Sequence, residues 1–224
     1  MAGPPWNDDD PADLPRIGAN VQALLTDLAT VTVRVMPTVT DAARWHTQLY
    51  VGCSVPSATY VGTFRGDASA PDLFDYEVGV GPIQPDGWPE KVGVWAADVA
   101  TELGHFEQAL HRALAVLDAM IGVGSRPSTV DELDEVVQLV ADVHGEWVRI
   151  HPFVNGNGRT ARVWAAVLAM RYGLPPFVRL TPRPHDVAYA RAARMSMGRP
   201  PDFVGDHTGA HGVFTRLLAL SLLP

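Results

Sequence analysis

Apolar positions recur at helical spacing along most of the chain, and the rhythm is lost only between residues 56 and 95. Ile17, Val21, Leu24, Leu25 and Leu28 predict a first helix over about 16–30. A second follows Thr40, where Asp41 and Ala42 lead into ARWHTQLYVG. Between 56 and 95, Gly, Pro and Asp alternate with the short β-prone runs ATYVGTF, YEVGVG and KVGVW, which predicts loops with one or two short hairpins. Val99, Leu103, Phe106, Leu110, Leu114 and Leu117 then form one face of a long helix. Thr129 and Glu132 have capping-box spacing ahead of the next, whose stripe is Leu133, Val136, Val137, Val140, Val143 and Trp147. Helix resumes at Arg159 and is closed by Gly173, Pro175 and Pro176, and HDVAYARAARMSM and GAHGVFTRLLALSLL predict two more. The pattern describes a mainly α bundle with a short β-hairpin insertion before its central helices. It forms a single domain over 16–224, preceded by a loosely ordered acidic, Pro-rich tail over 1–15.

Composition narrows the partners. The chain has 224 residues, enough for one sizeable core, and a net charge of -8, which argues against nucleic-acid or anionic-membrane binding. Cys53 is the single cysteine, so no disulfide or Cys-based zinc site is available within the chain and a reducing, cytoplasmic setting is expected. No apolar run is long enough to cross a bilayer, and MAGPPWNDDDPADLP lacks the basic and apolar regions of a secretory leader.

Candidate chemistry concentrates in HPFVNGNGRTAR, residues 151–162, between two predicted helices. A helix start exposes unpaired N–H groups and the positive end of the macrodipole, and so holds anions. Gly156 and Gly158 allow tight turns and close approach, and Asn157 tolerates the left-handed region and can fix the loop with its amide. Arg159 and Arg162, three apart on one helix face, can both reach phosphate oxygens. His151, at the other lip, can be neutral near pH 7 and take a proton from a hydroxyl, while Phe153 is expected to point inward as an anchor. A base facing an anion cradle suits transfer of a phosphoryl or nucleotidyl group to a hydroxyl.

The stretch resembles the signature of the Fic (Fic/Doc) family, His-Pro-Phe-x-acid-Gly-Asn-Gly-Arg-x-x-Arg. His151, Pro152, Phe153, Gly156, Asn157, Gly158, Arg159 and Arg162 match it. GTFRGD at 62–67 resembles the Gly-x-aromatic-Arg element ahead of the family's β-hairpin flap, which 76–95 could supply; Arg65 is expected to be structural there. The resemblance implies a Fic-type helical bundle, with its flap at about 60–95 and its core at about 95–175. It also implies transfer of AMP from ATP to a Ser, Thr or Tyr hydroxyl of a target protein (AMPylation). On that reading His151 is the base, the amides of Gly156, Asn157 and Gly158 hold phosphate, and Arg159 and Arg162 neutralise the diphosphate. The alternatives are a phosphoryl or other phospho-group transferase on the same scaffold, or a nucleotide-binding regulatory module with little turnover.

Two departures stand out. Asn155 replaces the family's acid, which helps hold Mg²⁺ on the nucleotide, so weakened metal binding at Asn155 and reduced activity are expected. No Glu is followed by Gly or Asn, as in the family's inhibitory helix, so restraint by a separate antitoxin-like protein in a bacterial setting, or none, is expected. Asp8, Asp9 and Asp10 read as a solvated acidic run. His207 and His211 read as surface-loop residues, His105 and His111 as structural, and His144 as a residue that could help position the motif.

Overall fold

A computed structural model describes residues 6–30 and 35–223. Its elements are α1 (Leu14–Thr30), α2 (Val39–Leu49), β1 (Gly79–Ile83), β2 (Pro89–Val92), α3 (Val99–Ile121), α4 (Val130–Ile150), α5 (Asn157–Arg171), α6 (Val187–Ser196) and α7 (Thr208–Ser221). α4 is the hub, packing against α3, α5, α6 and α7, while α2 bridges α1 and α5. A capping box at Thr129 and Glu132 starts α4, so its first-turn N–H groups are satisfied before the apolar stripe begins. α2 begins with its own capping box, Thr38 with Asp41, slightly before the predicted start at Thr40.

α5 differs from its neighbours in being buried on nearly every face, Arg159, Arg162 and Arg171 included. A helix enclosed this way has no polar stripe to read, and the small residues Ala161, Ala165, Ala166 and Ala169 let α4 approach closely. Trp147 and Trp164, both fully buried, meet across this contact with ring centroids 5.7 Å apart.

β1 and β2 form one antiparallel hairpin with an irregularity between Val80 and Ile83. β1 is exposed throughout, whereas Val92 at the end of β2 is buried and its N–H donates to Gly198 O at 3.0 Å. Trp95 packs edge-on against Phe203, at 5.0 Å, which moors the hairpin base to the loop after α6.

The expected loose tail over 1–15 needs correction. Residues 1–5 lie outside the described residues, but Trp6 is 8% exposed and 10–13 turn directly into α1. The cause is a set of contacts with the motif, made by aromatic and acidic side chains that local pattern alone could not pair. His211 is also corrected: it lies inside α7, where it faces Asp134.

Candidate active site

The turn between α4 and α5 is held open by two left-handed residues and one side-chain clamp. His151 ends α4 at φ 54, ψ 55, and Gly156 precedes α5 at φ 75. A Cβ at Gly156 would lie 2.6 Å from Tyr50 Oη and 2.7 Å from His46 Nε2, so glycine is required by space as well as by φ. Asn157 is helical, not left-handed, but its amide spans the turn: Oδ1 accepts from Phe153 N at 2.9 Å and Nδ2 donates to Phe153 O at 2.8 Å. Phe153 is fully buried and stacks on His46, with centroids 3.8 Å apart. His46 Nδ1 accepts from Gly62 N at 3.0 Å, so Nε2 carries the proton and donates to Asn155 O at 3.1 Å. Burial holds His46 at a pKa of about 3, so it is a neutral strut.

His151 is half-buried. Its Nδ1 lies 3.2 Å from Val148 O, a contact that requires the proton on Nδ1 and leaves the Nε2 lone pair free. Among the described residues nothing hydrogen-bonds Nε2. Burial, then the Arg65 charge, pulls the imidazole down to about 4, so the ring is neutral at pH 7.

At the head of α5 the amides of Asn157, Gly158 and Arg159 make no hydrogen bond among the described residues. The Gly156 N–H is already used, donating to Asn155 Oδ1 at 2.9 Å. Of the expected cradle of Gly156, Asn157 and Gly158, the latter two amides are therefore unengaged, with that of Arg159 beside them.

The two arginines are not presented as free forks on one face. Arg159 Nη1 donates to Asp8 O at 2.8 Å, to the Asp8 carboxylate at 2.6 Å and to Tyr50 Oη at 2.8 Å, and Nη2 meets Asp9 at 2.5 Å. Its buried Nε has no partner among the described residues. Arg162 turns the other way, Nε donating to Leu180 O at 2.9 Å and Nη1 to Tyr189 Oη at 3.3 Å. Tyr189 Oη in turn lies 2.9 Å from His144 Nε2, so His144 acts on Arg162 through a hydroxyl.

Residues 6–9 thus form an acidic strap over the motif. The Trp6 ring lies against His46, Tyr50 and Tyr60, and its carbonyl accepts from Asn155 Nδ2 at 2.7 Å. Asp8 is not the solvated residue expected: its side chain is 17% exposed, and burial raises its pKa despite Arg159. His46, Tyr50, Trp6, Asp8, Asp9 and Tyr189 were not singled out for the site from sequence. The available signal was charge complementarity, an acidic segment led by tryptophan beside a motif with two arginines and no acid of its own.

Asn155 was the expected magnesium contact. Its two polar ends are taken by Trp6 O and Gly156 N, and the carboxylates of Asp8 and Asp9 are bound to Arg159. Among the described residues no cluster of three or more His, Cys, Asp or Glu side chains is placed to hold a metal ion. These donors do not fit a protein-held Mg²⁺.

Fold and site together define a helical bundle whose central helix pair is joined by a turn with unengaged helix amides at one lip and a neutral imidazole at the other. Residues 85–169 match the Fic/DOC family. Forty-two residues are 50% identical to proteins named Protein adenylyltransferase Fic from Drosophila virilis and Drosophila melanogaster. They make up 19% of this chain and 9% and 8% of those proteins, so the match spans under a tenth of the relatives' length. The fold is similar to that of BepC protein, a VirB-translocated effector with bound AMPPNP from Bartonella tribocorum. The TM-score is 0.54 at 16% identity, covering 95% of this chain and 90% of that one. It is also similar to a Fic domain containing signaling protein from Bacteroides thetaiotaomicron, with TM-score 0.56, 15% identity, and 92% and 65% coverage. Among the described residues, seven α-helices and a two-stranded hairpin agree with the fold of those neighbours.

Proposed function

We propose that the protein is a nucleotidyltransferase that moves AMP from ATP to a Ser, Thr or Tyr hydroxyl of a target protein. The observation that carries this reading is the unengaged Nε2 of a neutral His151 at one lip of the turn whose other lip opens α5 with free amides. The acceptor oxygen bonds to the α-phosphorus, the link from α-phosphorus to the bridging oxygen breaks, and pyrophosphate leaves. The hydroxyl proton goes to His151 Nε2. The amides of Asn157, Gly158 and Arg159 hold phosphate oxygens, and Arg159 and Arg162 neutralise charge on the departing diphosphate. The exposed strand β1 offers backbone hydrogen bonds to the target segment. The relatives' names and the AMPPNP of BepC support the reaction class.

Arg159 reaches this role once Asp8 and Asp9 leave it, so the restraint belongs to this chain's own strap and does not need a separate antitoxin-like protein. The strapped state also favours the second reading, a nucleotide-binding module with little turnover, in the full chain. We take residues 14–221 as one domain, with 6–13 as its strap.

The 224-residue chain and a form starting at residue 11 would be incubated with cell lysate and ATP labelled separately on its α and γ phosphates. Protein labelled from α is expected, more from the shortened form, and His151→Ala should lower it at least about 100-fold with the AMPPNP affinity kept. Label from γ would replace the reading with phosphoryl transfer. No label despite AMPPNP binding would leave a binding module.

A further inference from the structure

We propose that Arg65 is a positioning residue that locks the base of the hairpin and His151 into one unit, so that the flap and the imidazole are set by a single buried cation. The inference rests on the reading of His151 as the base, but the coupling itself can be measured without activity.

Arg65 is 1% exposed and lies where three segments converge. From the motif side it holds carbonyls of consecutive residues. Nη2 donates to Ile150 O at 3.3 Å, Nε to His151 O at 2.9 Å, and the Arg65 backbone N–H to Pro152 O at 2.8 Å. From the side entering the hairpin, Nη1 donates to Tyr76 O at 2.9 Å and meets the Glu77 carboxylate at 3.3 Å. From the side leaving it, Nη2 donates to Val94 O at 2.7 Å. Glu77 completes the junction by accepting from Ala96 N at 3.0 Å. The guanidinium therefore ties both ends of the hairpin to the turn that carries the base.

The hairpin base also touches the histidine. Gly93 donates to Val78 O at 3.1 Å, closing the ladder, and a Cβ at Gly93 would lie 2.6 Å from His151 Cβ and 3.1 Å from Arg65 Nη2. His151 needs such support, because a side chain at φ 54 sits in the left-handed region that non-glycine residues avoid. A planar fork with five fixed donors holds four carbonyls and a carboxylate at once, whereas a lysine ammonium has only three donors to share among them.

The arrangement has an electrostatic consequence that packing alone would not produce. Arg65 and its partner Glu77 are the charged groups at this junction, and the Arg65 cation opposes protonation of the ring. Arg65→Lys keeps the charge and loses the fork, whereas Arg65→Gln loses both.

The test uses the full chain with ¹⁵N-labelled histidine, the His151 signals being assigned by their loss in His151→Asn. In the native protein and in Arg65→Lys the ring should remain neutral from pH 8 to about 5, while Arg65→Gln, with burial still the larger cause, should shift its protonation to higher pH. Hydrogen exchange should show the Gly93 and His151 amides accelerating together, at least about tenfold, in Arg65→Lys, with α3 amides unchanged. Glu77→Gln, at the half-exposed end of the junction, provides a second variant should Arg65→Gln fail to fold. It should accelerate Gly93 exchange and leave the ring neutral. Acceleration at Gly93 with His151 unmoved in Arg65→Lys, or identical imidazole titrations in the Lys and Gln variants, would overturn the coupling. Persistent labelling by His151→Ala would instead remove the base reading and leave the coupling standing.

Discussion

Asn155 uses both ends of its amide, one on Trp6 O and the other on Gly156 N–H. A carboxylate could still accept from Gly156, but it would face the Trp6 carbonyl with no hydrogen to give and would bring a further negative charge to the strap. The asparagine that departs from the family signature is therefore the residue the strap requires. Asn155→Asp should expel residues 6–9. Losing one buried hydrogen bond costs about 1–3 kcal/mol, so the strap's hold should weaken roughly fivefold to a hundredfold. Limited proteolysis of 6–13 should speed up and AMPPNP should bind more tightly. A protease-resistant Asn155→Asp strap would sink this account. The sequence made the motif itself legible, because its chemistry lies within twelve consecutive residues. It could not show that Asn155 meets Trp6 or that Arg159 meets Asp8, since those pairs are separated by 149 and 151 positions.

Among the elements, the strap and α5 compete for the same charge. Arg159 spends two of its nitrogens on Asp8 and Asp9, and a phosphate arriving at the head of α5 must replace those carboxylates. Hydrogen bonds involving charged groups contribute about 1.5–3 kcal/mol, so Asp8→Asn together with Asp9→Asn should tighten AMPPNP binding about tenfold or more. The gain should vanish in Arg159→Ala, and calorimetric titration of the variants separates the cases. The helices themselves were legible in proportion to their asymmetry. α3 buries one stripe, and the predicted face from Leu103 to Leu117 is the buried one. α4 buries the predicted positions Val136 to Trp147 but also Leu139, Ala141, His144 and Gly145, because four helices pack around it. α5 buries all its faces, so its period gave the helix without saying which way Arg159 and Arg162 turn. The hairpin lies within the span where helical period fails, but its pairing, Gly79 with Val92, needed the structure.

Across the whole molecule, three neutral imidazoles lie beneath or beside the turn, and they set how the fold meets acid. His46 and His144 are held at about 3 and His151 at about 4, against about 6.5 in an unfolded chain. Between those values the unfolded state binds protons that the folded state refuses. Stability is therefore fully present above pH 6.5 and is lost as pH falls toward the folded values. Each group contributes about 1.4 kcal/mol per pH unit, so the three together remove roughly 4 kcal/mol per unit below pH 6. A domain of ordinary stability, about 5–15 kcal/mol, cannot absorb that for long. The far-ultraviolet circular dichroism should collapse between about pH 4 and 5, a window that overlaps the upper part of the carboxylate range. His144 offers the clearest check, because protonating it would set a second cation beside Arg162 on the Tyr189 hydroxyl. His144→Phe, beside Phe214 and Tyr189, should lower the acid midpoint and flatten the slope by about a third. An acid midpoint that ignores this substitution would mean that the carboxylates, not the buried imidazoles, govern the transition.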